Sequence, residues 1–114
     1  MTQANLIKWV GSLTGIKTLH GVPKNTPKEF ITIERLGGAA DVAVDRASFA
    51  IQCWAETSAK AARMAYDLQK AFLYMQPPTY TDIYQIRVES LYEFTDLKSR
   101  KPRYQMVVHV VAKL

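Results

Sequence analysis

The alternation of apolar and polar residues is clearest at residues 47–55. Phe49, Ile51 and Cys53 fall on one face of an extended chain, and the side chains between them fall on the other. This period of two predicts a strand whose first face meets the core.

A helix is predicted over residues 57–75, directly after this strand. Thr57 or Ser58 can cap its first turn, and apolar side chains then recur at helical spacing. These are Ala61, Ala65, Leu68, Phe72 and Met75. Pro77 and Pro78 end the helix, because proline lacks a backbone N–H and restricts the residue before it.

The first third of the chain has weaker periodicity. Residues 5–13 place apolar positions at helical spacing and predict a short N-terminal helix. Residues 17–28 fit a short strand or extended arm followed by a turn. Residues 29–36 are rich in β-branched and aromatic side chains and predict a strand. The small residues that dominate residues 37–46 predict a flexible loop.

Two long strands after the prolines predict an antiparallel hairpin. In the first strand the apolar side chains share one face and the polar ones the other; the apolar set is Tyr84, Ile86, Val88, Tyr92 and Phe94. The second strand, residues 103–113, is apolar on both faces. This pattern indicates a central strand or one covered by a partner; the alternative is that the two helices cover both faces within one chain.

These elements indicate an α+β fold, with a mainly antiparallel four- to five-stranded sheet packed by two helices. The 114 residues leave room for one hydrophobic core, so residues 1–114 are expected to form a single domain. Cys53 is the only cysteine, which excludes an internal disulfide and fits a reducing, intracellular setting. No signal peptide or membrane span is apparent, so we expect cytosolic synthesis and no membrane partner.

Positive charge is the main clue to partners. Lys and Arg number 15 against 10 Asp and Glu, which gives a formal net charge of +5 and favours anionic surfaces. The turn before the last strand concentrates this charge. We predict that its four basic residues are docking contacts: Lys98, Arg100, Lys101 and Arg103. The alternative is a solvated turn that only keeps the hairpin soluble.

A small basic nucleic-acid-binding module is an alternative from another class, since strand aromatics could stack bases. No strand carries the basic-Gly-aromatic motif of RNA-binding sheets, and Glu89 and Glu93 fall on the polar face of their strand. Nucleic acid is therefore not the expected partner.

The sequence offers no recognisable catalytic, cofactor or metal site. It has no Gly-rich phosphate loop, and His20, His109 and Cys53 lack the paired spacing of metal ligands. A Cys53–His109 dyad would require the two strands to be neighbours. A thiol on an apolar strand face is more often a small buried hydrophobe. We therefore expect no enzyme activity and no cofactor, and we expect Cys53 to be buried and unreactive.

The order of segments resembles the tail terminator, or tail completion, family of long-tailed bacteriophages. The resemblance is carried by an N-terminal helix, the arm VPKNTPKEF, the strand ITIERLGG, the block ASFAIQCWAETSAKAARMAYDLQKAF and the closing strand KPRYQMVVHVVAKL. It covers nearly the whole chain. The strand-to-helix block is its most specific part.

This resemblance implies a structural virion protein without catalytic residues. It implies a homohexameric ring that caps the tail tube, ends tube polymerisation and forms the surface to which the head is joined. The implied partners are other copies of the chain, the tail tube protein and a head-completion or neck protein. The implied location is the tail or neck of the virion, with host cytoplasm during assembly. Another neck or minor tail component of similar fold is also compatible.

Overall fold

The computed structural model describes residues 2–114, which form two α-helices and a five-stranded sheet. The elements are α1 (Thr2–Thr14), β1 (Thr18–Leu19), β2 (Phe30–Asp41), β3 (Val44–Trp54), α2 (Ser58–Tyr74), a 3₁₀ turn (Thr79–Thr81), β4 (Ile83–Glu93) and β5 (Arg103–Lys113). The strand order is β1-β2-β3-β5-β4, and every neighbouring pair except β1–β2 is antiparallel. The predicted single-domain α+β fold with a mainly antiparallel sheet is confirmed.

Both helices pack on the same face of the sheet. Leu6 of α1 and Leu68 of α2 are almost completely buried against the inward side chains of β2, β3 and β5. Trp9 and Phe72 join the two helices, with ring centroids 5.3 Å apart. Burial of each large apolar side chain stabilises the fold by about 1.5 to 3 kcal/mol, so this layer is the main source of stability.

Helix α2 lies close to its predicted position, whereas α1 is longer than the predicted residues 5–13. The Thr57 hydroxyl accepts a hydrogen bond from the backbone N–H of Lys60 at 3.2 Å, which satisfies one of the free donors of the first turn. At the start of α1, the Thr2 hydroxyl donates to Asp45 at 2.6 Å. This contact anchors a first turn that sequence periodicity did not reveal.

An ion pair on the helix side of the sheet ties β2 to β3. Arg35 donates two hydrogen bonds to the Asp45 carboxylate, at 2.9 and 2.8 Å. The Asp45 side chain is 12% exposed and the Arg35 side chain 36%. Hydrogen bonds from Arg35, and then from Thr2, lower the pKa of Asp45 to about 2.

The prediction of a flexible loop at residues 37–46 is wrong. Strands β2 and β3 continue through this segment and form a hairpin closed by Val42 and Ala43. Ala43 has a φ of 62°, in the left-handed region that two-residue hairpin turns use. The backbone groups of the segment are therefore paired in the β2–β3 ladder instead of being left to solvent.

The small residues of this hairpin permit close strand pairing. The register of β2 against β3 shifts between Arg35 and Gly37, which is a β-bulge. Beyond the bulge, Gly38 has a φ of 134°, and a Cβ atom there would lie 2.1 Å from the carbonyl oxygen of Arg46. Only glycine fits this position.

The predicted faces of β4 are correct in the middle of the strand and wrong at both ends. A first register shift, between Ile83 and Gln85, makes Tyr84 an extra, exposed residue, and Ile83 takes the place in the core. Ile86 and Val88 pack against the core as predicted. A register shift then leaves Glu89 as an extra residue, so the side chains after it change faces. Tyr92 consequently points away from the helices, and Gln105 donates a hydrogen bond to its hydroxyl at 2.5 Å.

Strand β5 is central, between β3 and β4, as its two apolar faces indicate. Met106 and Val108 are buried beneath the helices, whereas Val107 and Val111 lie on the opposite face and are partly exposed. The alternative in which the helices cover both faces is wrong, because both helices pack on one side. No helix or strand of residues 2–114 covers the opposite face, which we call the open face.

Candidate interaction surfaces

The turn between β4 and β5 carries the four basic residues predicted as docking contacts, and it is an ordered unit. The Ser99 hydroxyl donates to the Asp96 carboxylate at 2.6 Å, and the backbone N–H of Arg100 donates to the Asp96 carbonyl oxygen at 2.7 Å. The hydrogen bond from Ser99 is the main cause that lowers the pKa of Asp96. The turn does not project as a loose tip.

Two of the four basic residues hold this turn against the rest of the protein. The Arg103 guanidinium lies 4.4 Å from the ring centroid of Phe94 and 4.9 Å from that of Trp54. It also donates a hydrogen bond to the Phe94 carbonyl oxygen, and Lys101 donates to the Thr26 hydroxyl. Stacked guanidinium groups of this kind contribute about 0.5 to 2 kcal/mol each. Arg103 and Lys101 therefore have structural contacts within the chain, and their role as docking contacts stays a prediction.

Lys98 and Arg100 remain exposed at this end of the molecule. The segment before β2 reaches the same end, where Lys28 and Arg100 line a depression of about 360 Å³ that Glu56 also lines, and Lys24 is exposed in the same segment. Sequence reasoning missed the two lysines, because only the folded chain brings the segments together. We call Lys24, Lys28, Lys98 and Arg100 the basic end.

A line of hydrogen-bonded side chains crosses the open face from β2 to β4. Trp54 donates to the Thr32 hydroxyl at 3.2 Å, and that hydroxyl donates to Gln52 at 3.3 Å. Gln52 donates to Gln105 at 2.7 Å, and Gln105 donates to Tyr92. Cross-strand pairs of this kind stabilise the register of a sheet. This part of the open face is thus held in order by a polar network.

A second polar line crosses the open face nearer the β2–β3 hairpin. The Ser48 hydroxyl oxygen lies 2.8 Å from Nδ1 of His109, and a Glu89 carboxylate oxygen lies 2.7 Å from Nε2 of the same ring. Arg46 and Arg87 flank the line, at a shallow depression of about 310 Å³. A hydroxyl, an imidazole and a carboxylate in series are the groups that nucleophilic catalysis uses.

The surroundings of Ser48 fit a structural role better than a catalytic one. Strand β3 is paired on both sides along its length, so its backbone N–H groups are engaged in the sheet and do not converge on an oxyanion. The serine also lies in the middle of a regular strand. We interpret Ser48, His109 and Glu89 as a cross-strand tie. Arg46 and Arg87 form no ion pair within residues 2–114, and they make the depression attractive to an anionic group.

Cys53 and His109 cannot form a dyad, because they lie on opposite faces of the sheet. Cys53 is fully buried on the helix side, as predicted, and burial raises the pKa of its thiol to about 12. His109 lies on the open face against Ser48. At neutral pH the Cys53 thiol therefore stays protonated and is a poor nucleophile.

Comparison with known proteins adds no family to this description. No family model matches the chain, and no curated protein gives a significant match. Within residues 2–114, no cluster of three or more potential metal ligands occurs. None of the helices described is both long and apolar enough to cross a membrane. The resemblance to tail terminators rests on the order of the segments and on the sequence blocks named above.

Proposed function

We propose that this chain is a structural subunit that forms a homo-oligomeric ring, a hexamer by its resemblance to tail terminators, and caps a phage tail tube. The observation that carries the proposal is the one-sided architecture. Within residues 2–114, helices cover one face of the sheet, no helix covers the other face, and β4 and residues 34–41 of β2 have no strand partner on their outer sides. A subunit of a closed ring needs two different surfaces, one for each neighbour, and further surfaces for the proteins above and below it.

The two ends of the sheet carry different side chains, with the basic end at one and the β2–β3 hairpin turn at the other. This difference suits a subunit located between two other proteins. The basic end lies where β3 finishes at Trp54, and the hairpin turn at Val42 lies where β3 begins. The molecule is 42 Å long in its longest dimension. We assign the basic end to an acidic surface of the tail tube protein or of the head-completion or neck protein. The proposed location is the tail or neck of the virion, and host cytoplasm during assembly.

Tail length is the readout that tests this role. Tubes assembled from tail tube protein alone should grow to irregular lengths, and the added subunit should bind one tube end and stop growth. Electron microscopy measures the length distribution, and light scattering measures whether the free or tube-bound subunit has the mass of a ring. An unchanged length distribution with no subunit at tube ends would contradict the proposal.

A single-stranded nucleic-acid-binding module is a second candidate, and the open face provides the observation that favours it. Tyr92 and Phe94 are 41% and 42% exposed, with ring centroids 5.9 Å apart, and Arg103 lies beside them. Glu93, which the sequence pattern assigns to the polar face, instead pairs with Tyr104 on the helix side. Exposed aromatic rings next to arginine can stack bases.

The ultraviolet absorbance spectrum of the purified protein separates the two candidates, because a basic nucleic-acid binder carries host RNA through purification. Oligonucleotide binding that weakens with salt, and that is lost in Tyr92→Ala with Phe94→Ala, would support this second role. Absence of oligonucleotide binding at low salt would exclude it and leave the ring proposal intact.

A further inference from the structure

Both edges of the sheet are open over comparable lengths. Strand β4 forms one edge, and no strand of residues 2–114 pairs with its outer side. At the other edge, β1 pairs with β2 only at Ile31 and Thr32. Residues 34–41 of β2 are consequently free on that side, and all of them are exposed. Unpaired N–H and C=O groups along a strand edge are a template for another strand.

The two open edges run in opposite directions. Antiparallel pairs join β2 to β3, β3 to β5 and β5 to β4, so β4 runs against β2. Rotation about an axis parallel to the strands preserves the direction of every strand. Such a rotation brings β2 of one copy beside β4 of the next as an antiparallel pair. Because the two edges are different surfaces, the contact is heterologous, and its repetition around the axis closes a ring when the rotation divides a full turn.

The two open stretches also lie at the same height along the strands. Following paired residues across β3 and β5, Ala39 of β2 lies in one row with Gln85 of β4. By the same path, Glu34 lies in one row with Ser90. The free stretch of β2 therefore meets β4 of a neighbouring copy without any displacement along the axis.

Both edges carry charged side chains, such as Glu34 and Arg87, but they lack two residue types that strongly keep sheet edges apart. Residues 34–41 and β4 contain no proline and no lysine. Exposed apolar side chains flank both edges instead. Leu36 on β2 is 55% exposed, and Tyr84 on β4 is 58% exposed and lies near Tyr74 and Met75 of the neighbouring α2 end. Register shifts bend both edges, but exposed apolar side chains of this kind favour an interface.

We infer that copies of this chain associate edge to edge, with the free stretch of β2 of one copy pairing with β4 of the next. A single sheet then continues around the assembly, with helices on one side and the open faces on the other. The inference rests on the proposed ring for its closure, and it identifies the surface and the partner: a second copy of the same chain.

Engineered disulfides test this contact in the full chain. In a Cys53→Ala background, Ala39→Cys and Gln85→Cys place one exposed thiol on each edge, in the same row. Paired antiparallel strands hold opposite Cα atoms roughly 4.5 to 5.5 Å apart, within the reach of a disulfide. Mild oxidation should give a ladder of covalent oligomers that ends at the ring size. A second pair, Ala39→Cys with Arg87→Cys, tests a contact in which neighbouring copies are shifted by two residues along the strands. Closed sheets often require such a shift.

Mixing two single-cysteine chains makes the test directional. Chains with Ala39→Cys and chains with Gln85→Cys, or Arg87→Cys for a staggered contact, should cross-link to each other and not to themselves. The matched control pairs Ala39→Cys with Lys70→Cys on the exposed side of α2, and it should give no ladder. Circular dichroism confirms that each variant is folded.

The outcomes separate the contact from the function. Self-linked dimers of the Gln85→Cys chain would indicate a symmetric β4–β4 contact and would overturn the inference. A ring mass without cross-links from either edge pair would also overturn it, while the proposed function stands. Monomers that never cross-link would overturn it as well. Tail-length control is measured independently, and a cross-linked ring that does not stop tube growth would overturn only the proposed function.

Discussion

At the scale of single residues, Asp45 shows how the protein keeps a charge in a mostly buried position. Desolvation alone would raise the pKa of this carboxyl group, and the hydrogen bonds from Arg35 and Thr2 outweigh it. The same three residues connect α1 to the β2–β3 hairpin. Removal of the charge therefore affects two elements at once.

Asp45→Asn should lower the free energy of unfolding at neutral pH by about 1 to 3 kcal/mol, as expected for hydrogen bonds to a charged group. Because folding lowers this pKa from 3.8 to about 2, the stabilisation is fully present above the ordinary value and is lost as the pH falls through the folded value. The difference between wild type and variant in urea denaturation should shrink over that interval. Glu34→Gln, an exposed carboxylate on β2, is the control, and an equal loss in it would contradict the assignment.

Cys53 should be unreactive in the native protein, because burial keeps its thiol protonated and inaccessible. Thiol labelling should be slow in buffer and fast in urea. Cys53→Ala should fold and assemble, with about 1 to 2 kcal/mol less stability from the smaller side chain. Rapid, complete labelling of folded protein would contradict the prediction.

The sequence predicts the burial of Cys53 but not the roles of the basic residues. The burial of Cys53 could be predicted from the apolar residues beside it on the same strand, because these lie close in the sequence. Arg103 stacks on Trp54 because the register of β3 against β5 places them opposite each other. Lys101 similarly depends on Thr26 of a distant segment. These contacts form only when distant segments pair in the folded chain. The sequence therefore identified a basic turn but did not show which of its side chains have partners within the protein.

At the scale of elements, the β2–β3 hairpin depends on one glycine. Gly38→Ala should destabilise the protein by about 2 to 5 kcal/mol, since the new Cβ meets the carbonyl oxygen of Arg46 and the backbone φ of 134° is strained for alanine. Gly37→Ala is the matched control: its Cβ would meet nothing within 4 Å, and we expect a change within about 0.5 kcal/mol. Thermal unfolding measures both, and equal effects would refute the role of Gly38.

The elements with strong periodicity were predictable and the irregular ones were not. Helix α2 and strand β3 follow from clear apolar spacing and from the capping Thr57. The hairpin segment has no apolar alternation, so its small residues suggested a loop, although they serve a bulge and a close strand approach. In β4 two extra residues, Tyr84 and Glu89, change which face the residues next to them occupy. The alternation of apolar and polar residues in the sequence does not show where such an extra residue lies.

At the scale of the whole molecule, the basic end is the feature that an acidic partner would recognise. If the proposed function holds, Lys98→Glu with Arg100→Glu should weaken docking of the proposed ring to the tail tube or neck, and electron microscopy should show fewer joined tails. Docking of the wild type should weaken with salt, because the Debye length falls from about 10 Å at 0.1 M to about 3 Å at 1 M. Lys101 is left unchanged, since it bonds to Thr26.

Lys60→Glu with Lys70→Glu is the matched control, because it makes the same change in net charge on the exposed side of α2. It should leave joining intact. Equal loss of joining in both double variants would show that net charge, and not the basic end, governs docking.

The central place of β3 also has a consequence for biosynthesis. The β2–β3 hairpin can close early, because a short turn joins its strands, but β3 receives its second partner only from β5. Ser48 meets His109, for example, 61 positions later in the chain. Contacts of such long sequence separation form slowly. A nascent chain therefore carries β3 with one side unpaired while residues 55–102 are synthesised, and we expect chaperones to bind the exposed apolar strand at that stage.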